Sequence, residues 1–245
     1  MTRKNLIALI LVIIILAVTG VAFYINYFSG SSQPGATSRV VISTVNLPTP
    51  ITSGQMSVET AIQDRRSVRT YANQSLTLTD ISQLLWAAQG VTDTEKNYRA
   101  APSGGHSYPL EVYLVAGSGG VTGLEEGLYH YSPQKHQLEK LSGGDKRANL
   151  SEIADGQPWV KQAPVDIVIT GVYQTMINKY GNNNVSVRFV QQESGHAGEN
   201  IYLEATARGL ATVALGSFDD AKVKAFLNLP KNESTLYIFP VGVPV

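Results

Sequence analysis

A long uncharged apolar segment near the start of the chain most strongly constrains what this sequence can form. The segment LIALILVIIILAVTGVAFYINYF (residues 6–28) contains no charged residue, and it exceeds the roughly 20 residues needed to cross the hydrocarbon core of a bilayer. Arg3 and Lys4 precede it, whereas only Arg39 carries positive charge soon after it. Because basic flanks favour the cytoplasmic side, we expect a single-pass anchor in the cell membrane, with the rest of the chain extracytoplasmic. The alternative is a cleaved signal peptide, although its apolar region is usually about 7–15 residues long.

The sequence divides into four regions of different composition. Residues 1–5 form the expected cytoplasmic N-terminus and residues 6–28 the anchor. The stretch SGSSQPGATS that follows is rich in Gly, Ser and Pro and lacks apolar periodicity, as is typical of a flexible linker. We therefore expect a tether over residues 29–46 and one domain over residues 47–245, a normal size for a single domain.

Charge and cysteine content exclude several functional classes. The 245 residues carry no formal net charge, so the overall field gives no reason to expect a nucleic-acid partner. The chain contains no cysteine, which excludes disulfides, thiol catalysis, thiolate metal sites and iron–sulfur ligation. Because the net charge is zero, any site for an anion must come from a local cluster of basic residues.

Apolar periodicity predicts a mixture of strands and separated helices. Helices are expected from Ser57 to Arg65, from Thr79 to a terminating Gly90, over 185–208 and in DDAKVKAFL. Strands are expected in LEVYLVAG, in a hairpin over 127–141, in LATVALG and in TLYIFPVG. The almost continuous apolar run PVDIVITGVY (164–173) is typical of a central strand. The pattern predicts an α+β fold with helices around one sheet.

Three arginines within five positions form the first candidate site. Arg65, Arg66 and Arg69 surround Ser67 in AIQDRRSVRTY. A guanidinium group can donate two hydrogen bonds at once to the oxygens of a phosphate, and a serine hydroxyl adds a neutral donor. A solvated helix end, where cations are mildly favourable, explains the same residues equally well. From the residues alone, both interpretations stay open.

Two further stretches could contact a ligand. The loop YRAAPSGGHSYP (98–109) has adjacent glycines that let a backbone approach a flat molecule closely. In QQESGHAGEN (191–200), Glu193 and His196 have the spacing of di-metal helices, but no second Glu-x-x-His helix occurs, so no metal site is expected. Gly195 and Gly198 in this stretch indicate close helix packing or a ligand. Serine-hydrolase elbows, P-loops and dinucleotide-binding turns are missing from the sequence.

The order of these motifs resembles that of the nitroreductase superfamily, nearest its azoline (thiazole- and oxazole-forming) peptide dehydrogenase branch. The resemblance starts with the arginine stretch and the loop. It continues through GLYHYSP, APVDIVIT, KYG, ESGHAGENIYLEATARGLATVALGSFDD and LYIFPVG, and so covers essentially the whole domain. It implies a central, mostly antiparallel sheet flanked by helices, FMN as cofactor, and a homodimer with the flavin at the subunit interface.

The resemblance also assigns site residues. It implies that the arginine stretch holds the FMN phosphate, that the glycine loop runs along the flavin ring, and that two later segments line its other side. The residues concerned are Arg65, Arg66, Ser67, Arg69, Pro102, Ser103, Gly104, Gly105, Gln192, Glu193, Ala214, Leu215 and Gly216. Arg65 and Arg69 are expected to share one side if the helical turn persists.

In the azoline dehydrogenase branch a Lys-Tyr pair accompanies the site, and Lys179 and Tyr180 stand at the matching place. The lysine is expected to act as a base assisted by the tyrosine, although both could simply be surface residues of a loop. We expect an FMN oxidoreductase that passes hydride through flavin N5 to a small acceptor or a peptide. The alternatives are an azoline dehydrogenase working with maturation partners and a flavin-binding surface protein without turnover.

Overall fold

The computed structural model describes residues 39–181 and 183–245. In chain order, the elements in these residues are β1 (Ser43–Asn46), α1 (Val58–Asp64), α2 (Leu78–Gln89), β2 (Val91–Asp93), β3 (Tyr98–Arg99), β4 (Leu110–Ala116), β5 (Gly127–Ser132), β6 (Gln137–Gly143), α3 (Arg147–Ile153), α4 (Pro158–Gln162), β7 (Val165–Val172), α5 (Tyr173–Tyr180), α6 (Asn183–Ala207), β8 (Ala211–Thr212), α7 (Asp220–Phe226) and β9 (Glu233–Gly242).

A seven-stranded sheet forms the centre of the fold. Its strand order is β1-β6-β5-β4-β7-β9-β8, and all of its neighbouring strands pair antiparallel. Strands β2 and β3 form a separate short hairpin. The predicted α+β class with a mostly antiparallel sheet is therefore confirmed. The run PVDIVITGVY contains β7, an interior strand between β4 and β9, as its lack of polar alternation predicted.

The sheet is covered on both faces, which explains the composition of β7. Ile167 and Ile169 belong to the core that includes residues of α2 and α6, whereas Val168 belongs to the core that includes residues of α3, α4 and α7. All three side chains are fully buried. Because alternate residues of a strand point to opposite faces, both sets must be apolar.

Helix α2 shows how local sequence sets an element. Ile81, Leu84, Leu85 and Ala88 are fully buried at the predicted helical spacing, and burying each larger side chain stabilises the fold by about 1.5–3 kcal/mol. The helix begins one position earlier than predicted, because Thr77 caps it. The Thr77 hydroxyl accepts the Asp80 N–H, and the Asp80 carboxylate accepts the Thr77 N–H, so the two satisfy each other's amides.

Two predicted boundaries were wrong. The tether was expected to reach residue 46, but Ser43–Asn46 form β1 and pair with residues 137–140 of β6. The strand predicted in LATVALG is reduced to β8 and an isolated bridge between Leu215 and Ile238. The chain leaves the regular ladder after Thr212, although its apolar residues stay largely buried.

The anchor predicted over residues 6–28, and most of the tether, lie outside the described residues. Within residues 39–181 and 183–245, no helix combines the length and apolar character needed to cross a membrane.

Candidate active site

The arginine stretch lies on an extended segment that follows α1. Helix α1 is capped by Ser57, as predicted, and ends at Asp64. Arg65 then turns the backbone out of the helix (φ −53°, ψ 125°), and Ser67 makes a parallel bridge to Thr212 at the sheet edge. The helical turn on which the expected alignment of Arg65 with Arg69 depended therefore does not persist.

Arg65 and Ser67 nevertheless converge on one side chain, Tyr202 of α6. The Arg65 guanidinium lies 5.1 Å from the centroid of the Tyr202 ring, and the Ser67 hydroxyl is 2.9 Å from the Tyr202 hydroxyl. Alternate residues point to the same side of an extended chain. Residues 65 and 67 therefore face Tyr202 together because the chain is extended, and not because of helical spacing.

The other two arginines differ in their surroundings. Arg66 folds back and donates to the carbonyl oxygens of Gln63 and Arg65, both at 2.7 Å. Arg69 lies 5.5 Å from the ring centroid of Trp159 on α4, and it takes part in no ion pair within the described part of the chain. The ion pair of Arg65 is long, at 3.9 Å to the exposed carboxylate of Glu199. The positive charge of this segment is therefore poorly neutralised by the protein.

The Tyr202 hydroxyl also connects the arginine segment to the predicted segment 214–216. It accepts the Ala214 N–H at 2.7 Å while it contacts Ser67. The next residue, Leu215, is buried and exchanges backbone hydrogen bonds with Ile238. Gly216 is exposed, and no hydrogen bond within the described residues uses its N–H. Four of the predicted cofactor contacts, Arg65, Ser67, Ala214 and Gly216, thus lie along one continuous surface.

The glycine loop 102–105 is anchored by Glu193 of α6. One carboxylate oxygen accepts the Ser103 hydroxyl at 3.0 Å and the Gly104 N–H at 2.8 Å. Burial raises the pKa of Glu193 above its usual value, and these two hydrogen bonds oppose that shift. Pro102 and Gly105 are exposed. Glu193 therefore supports the loop from beneath rather than facing a ligand, whereas its neighbour Gln192 is exposed to solvent.

Lys179 and Tyr180 lie against the same loop. They end helix α5 and are not part of a loop. The Lys179 ammonium donates to the Gly105 carbonyl oxygen, and a Cβ atom built on Gly105 would lie 2.6 Å from Lys179 Nζ and 2.7 Å from the Tyr180 hydroxyl oxygen. Gly105 also has a φ of +56°. Only glycine combines this backbone conformation with such close contact.

The structure brings the predicted residues together as two groups on opposite sides of α6. The first, which we call the phosphate-type group, consists of the arginine segment and Ala214 and lies around Tyr202. The second, the loop group, consists of residues 102–105 and lies around Glu193. Nine residues separate these two positions, which corresponds to about 14 Å and two and a half helical turns. Within one chain, the loop and the arginines therefore face away from each other.

Tyr202 is the central residue that sequence reasoning missed. It lies in IYLEATARG, where it reads as one more apolar residue of a long helix, and its hydroxyl gains importance only through contacts with residues 67 and 214. Gly198 fits the expected close packing, because a Cβ there would lie 2.9 Å from the Phe239 ring. Gly195 instead faces open space, on the Tyr202 side of the helix, since seven residues make almost two turns.

Comparison with known proteins gives a consistent result. The sequence matches the model of the Nitroreductase family over residues 62–243. It is 36% identical over 188 residues to a Methanocaldococcus jannaschii protein that carries the nitroreductase name, covering 77% of this chain and 91% of that protein. A crystal structure of a Ralstonia eutropha protein, also named as a nitroreductase, superposes with a TM-score of 0.71 at 28% identity, covering 86% of this chain and 92% of that one.

A second kind of relative is named for peptide processing. The trifolitoxin-processing protein TfxB of Rhizobium leguminosarum is 30% identical over 177 residues, which cover 68% of this chain. The match spans 47% of the length of that relative.

Proposed function

The chain belongs to the Nitroreductase family of flavin oxidoreductases, and from this premise we propose that it is a membrane-anchored FMN-dependent enzyme that passes electrons from a donor to a small acceptor or a peptide. The observation that carries the proposal is the Tyr202 hydroxyl, which joins the arginine segment to residues 214–216. These two segments are far apart in sequence and are the ones that the family resemblance assigns to FMN.

The residues of the phosphate-type group fit FMN in their chemistry. Arg65, Ser67 and Arg69 offer guanidinium and hydroxyl donors, and the charges of the two arginines lack close carboxylate partners among the described residues. Phosphate oxygens satisfy such donors in pairs. Arg66 uses its guanidinium on its own backbone, so we assign the phosphate to the other three residues.

The surface next to this group can accept a flat ring. Gly195 leaves open space where another residue would carry a side chain, and a Cβ atom on Gly216 would meet only the edge of the Tyr237 ring, at 4.0 Å. Among the described residues the Gly216 N–H has no hydrogen-bond acceptor, so it can donate to a ring heteroatom. When bound, FMN supplies two-electron redox chemistry between donor and acceptor. A groove of about 890 Å³ begins beside Gly216 and is lined by Gln191, Ser194, Phe218 and Tyr237, a size that suits a small substrate.

We further propose that the enzyme is a homodimer whose flavin site uses both subunits. In one chain the glycine loop and the arginines lie on opposite sides of α6, so a loop that lines the ring must come from a second copy. The exposed side of α1 supports such a contact, because Val58 and Ile62 are 65% and 57% exposed and lie four residues apart on one helical face. Apolar residues exposed in this way favour a protein interface.

A second candidate function is peptide azoline oxidation. It is favoured by the position of Lys179 and Tyr180 against the predicted flavin loop and by the likeness to TfxB. In that reaction Lys179 would act as the neutral amine and take the proton that leaves with the hydride, which requires its ammonium first to lose a proton to solvent and to release the Gly105 carbonyl. The non-enzymatic alternative is a protein that binds flavin without turnover.

We propose that residues 6–28 anchor the protein in the cell membrane with the catalytic domain on the extracytoplasmic side. The support is the uncharged length of this segment and the basic residues before it. Protease added to intact cells should remove the domain and leave the anchor. Protection of the domain in intact cells would overturn the proposed orientation.

Cofactor binding can be tested on the full chain purified in detergent. We expect a yellow protein that binds one FMN per subunit, released by heat and retaken on reconstitution. A colourless protein that takes up no FMN would exclude the flavoenzyme interpretation. The flavin content of the unmodified protein should be compared with that of the variant Lys179→Met, which tests the azoline alternative. This variant should keep its FMN if the lysine acts only on the substrate or the loop.

A further inference from the structure

Three consecutive apolar side chains are exposed to solvent at the start of the described chain. Val40, Val41 and Ile42 are 80%, 41% and 63% exposed, and we call them the Val40–Ile42 patch. Among the described residues, no other two exposed large apolar side chains are adjacent in sequence. Single exposed apolar residues are normal on a protein surface, whereas a contiguous group favours contact with another molecule or a membrane. Neither the FMN site nor the proposed contact of α1 uses this patch.

The patch is held in place at both ends. At its first end, the Arg39 guanidinium donates to the Tyr113 hydroxyl and to the Glu233 carboxylate, both at 2.9 Å. Glu233 is fully buried, so this ion pair fixes Arg39 to the sheet. At the other end, the Ile42 N–H donates to the Lys140 carbonyl oxygen at 2.8 Å, and β1 follows directly. The three apolar side chains therefore belong to a fixed segment and not to a free chain end.

The charges next to the patch are balanced within the domain. Besides the ion pair at the first end of the patch, the Lys140 ammonium pairs with the Glu125 carboxylate. On the adjoining strands, His130 lies between two carboxylates, those of Glu111 and Glu139. Each positive group is thus matched by at least one carboxylate, so the charges do not favour attraction to an anionic surface. What the patch offers to a partner is apolar area.

The sequence before the patch indicates which surface covers it. The proposed membrane anchor ends at residue 28, and ten residues (29–38) separate it from Arg39. A Gly- and Ser-rich chain of this length spans about 17 Å on average and roughly 35 Å at most. Because the patch follows directly, it has the shortest chain connection to the bilayer of any apolar group in the described domain. Apolar side chains that reach the boundary between headgroups and acyl chains are stabilised there by the area they bury.

We propose that the Val40–Ile42 patch binds the lipid surface of the membrane that holds the anchor. Its side chains enter the boundary between headgroups and acyl chains, and the fixed segment that carries them keeps the β1 edge of the sheet next to the bilayer. Because the neighbouring charges are balanced, this binding depends on apolar contact and not on anionic headgroups. The inference rests on the proposed anchoring of residues 6–28 and does not depend on FMN.

The test uses the full chain in phosphatidylcholine nanodiscs, with or without a lipid that carries a nitroxide quencher close to its headgroup. The chain has no cysteine, so Thr44→Cys places a single bimane fluorophore two residues after Ile42, on the same side of the extended chain. Thr44 is exposed, and labelling it leaves the patch intact. The matched control is Val245→Cys, because Val245 is a 92% exposed valine that follows β9. Strand β9 is five positions from β1 in the sheet, or about 24 Å.

We expect the quencher lipid to quench the label at residue 44 roughly threefold or more as strongly as the label at residue 245. Val40→Ser combined with Ile42→Ser should lower quenching at residue 44 by about twofold or more, because serine buries little apolar area. Replacing a third of the lipid by anionic phosphatidylglycerol should change the quenching by less than about 1.5-fold. Thermal unfolding of the double variant checks that its fold is kept.

Equal quenching of the two labels would overturn the proposal, as would quenching at residue 44 that the double variant leaves unchanged. If a second copy of the chain covers the patch instead, the label at residue 44 should be shielded from iodide in water but insensitive to the quencher lipid, and this result too would overturn it. A chain that does not enter nanodiscs would refute the proposed anchor and this inference with it. A chain that enters nanodiscs without stronger quenching at residue 44 would refute this inference alone.

Discussion

Replacing Arg65 and Arg69 together by alanine should strongly weaken FMN binding. Each charged hydrogen bond to phosphate contributes about 1.5–3 kcal/mol. Because both guanidinium groups lie in partly or fully exposed positions, we take the lower end, about 3 kcal/mol for the pair. At about 1.4 kcal/mol per tenfold change, the dissociation constant should rise by roughly a hundredfold or more.

Arg66→Ala provides the matched control in the same segment. Among the described residues its guanidinium binds only the carbonyl oxygens of residues 63 and 65, so we expect a change of roughly threefold or less in FMN affinity. Affinity is measured by quenching of FMN fluorescence, and the fold is checked by thermal unfolding, because Arg65 and Arg69 also cover the rings of Tyr202 and Trp159. A folded double variant that binds FMN within fivefold of the unmodified protein would refute the phosphate assignment.

Three further substitutions and one control variant, Gly104→Ala, test the remaining parts of the site and core. Tyr202→Phe should lower the free energy of unfolding by about 1–2 kcal/mol and weaken FMN binding, because Ser67 and Ala214 lose a shared partner; unchanged thermal stability would contradict this. Gly105→Ala should cost about 1–2 kcal/mol, whereas Gly104→Ala, whose Cβ has contacts no closer than 3.5 Å, should cost less; equal melting temperatures would count against the contact with Lys179. Burial raises the pKa of Asp166 well above its usual value, so the folded state binds its proton more tightly and stability should fall as pH rises above about 4. Asp166→Asn should flatten that fall and add on the order of 1–3 kcal/mol at pH 8, as measured by unfolding at pH 5 and pH 8.

Much of the fold follows from the sequence because local patterns and burial agree. The apolar run of β7 requires a strand covered on both faces, and the spacing of Ile81, Leu84, Leu85 and Ala88 requires a helix with one buried side. Both predictions are confirmed. Helix α5 was not predicted, because TMINKY carries few apolar residues and only Met176 is fully buried there.

The candidate site was less accessible to sequence reasoning, because its geometry depends on contacts between distant segments. The motif order identified the arginine stretch, the glycine loop and residues 214–216, but not how they meet. Arg65 and Ser67 share Tyr202 because the chain is extended after Asp64, whereas a helical continuation was expected. Nor could the sequence show that Glu193 faces the loop, since this depends on how α6 is rotated against the sheet.

Reduction and reoxidation of the purified, FMN-loaded protein test the proposed function most directly. Under anaerobic conditions, a donor such as NADPH or, failing that, dithionite should bleach the flavin absorbance near 450 nm, and a quinone acceptor should restore it with one equivalent per FMN. Repeated cycles with a fixed stoichiometry are the expected result. Bound FMN that is reduced but that no acceptor reoxidises faster than free FMN would contradict the assignment of this protein as an oxidoreductase and favour flavin binding without turnover.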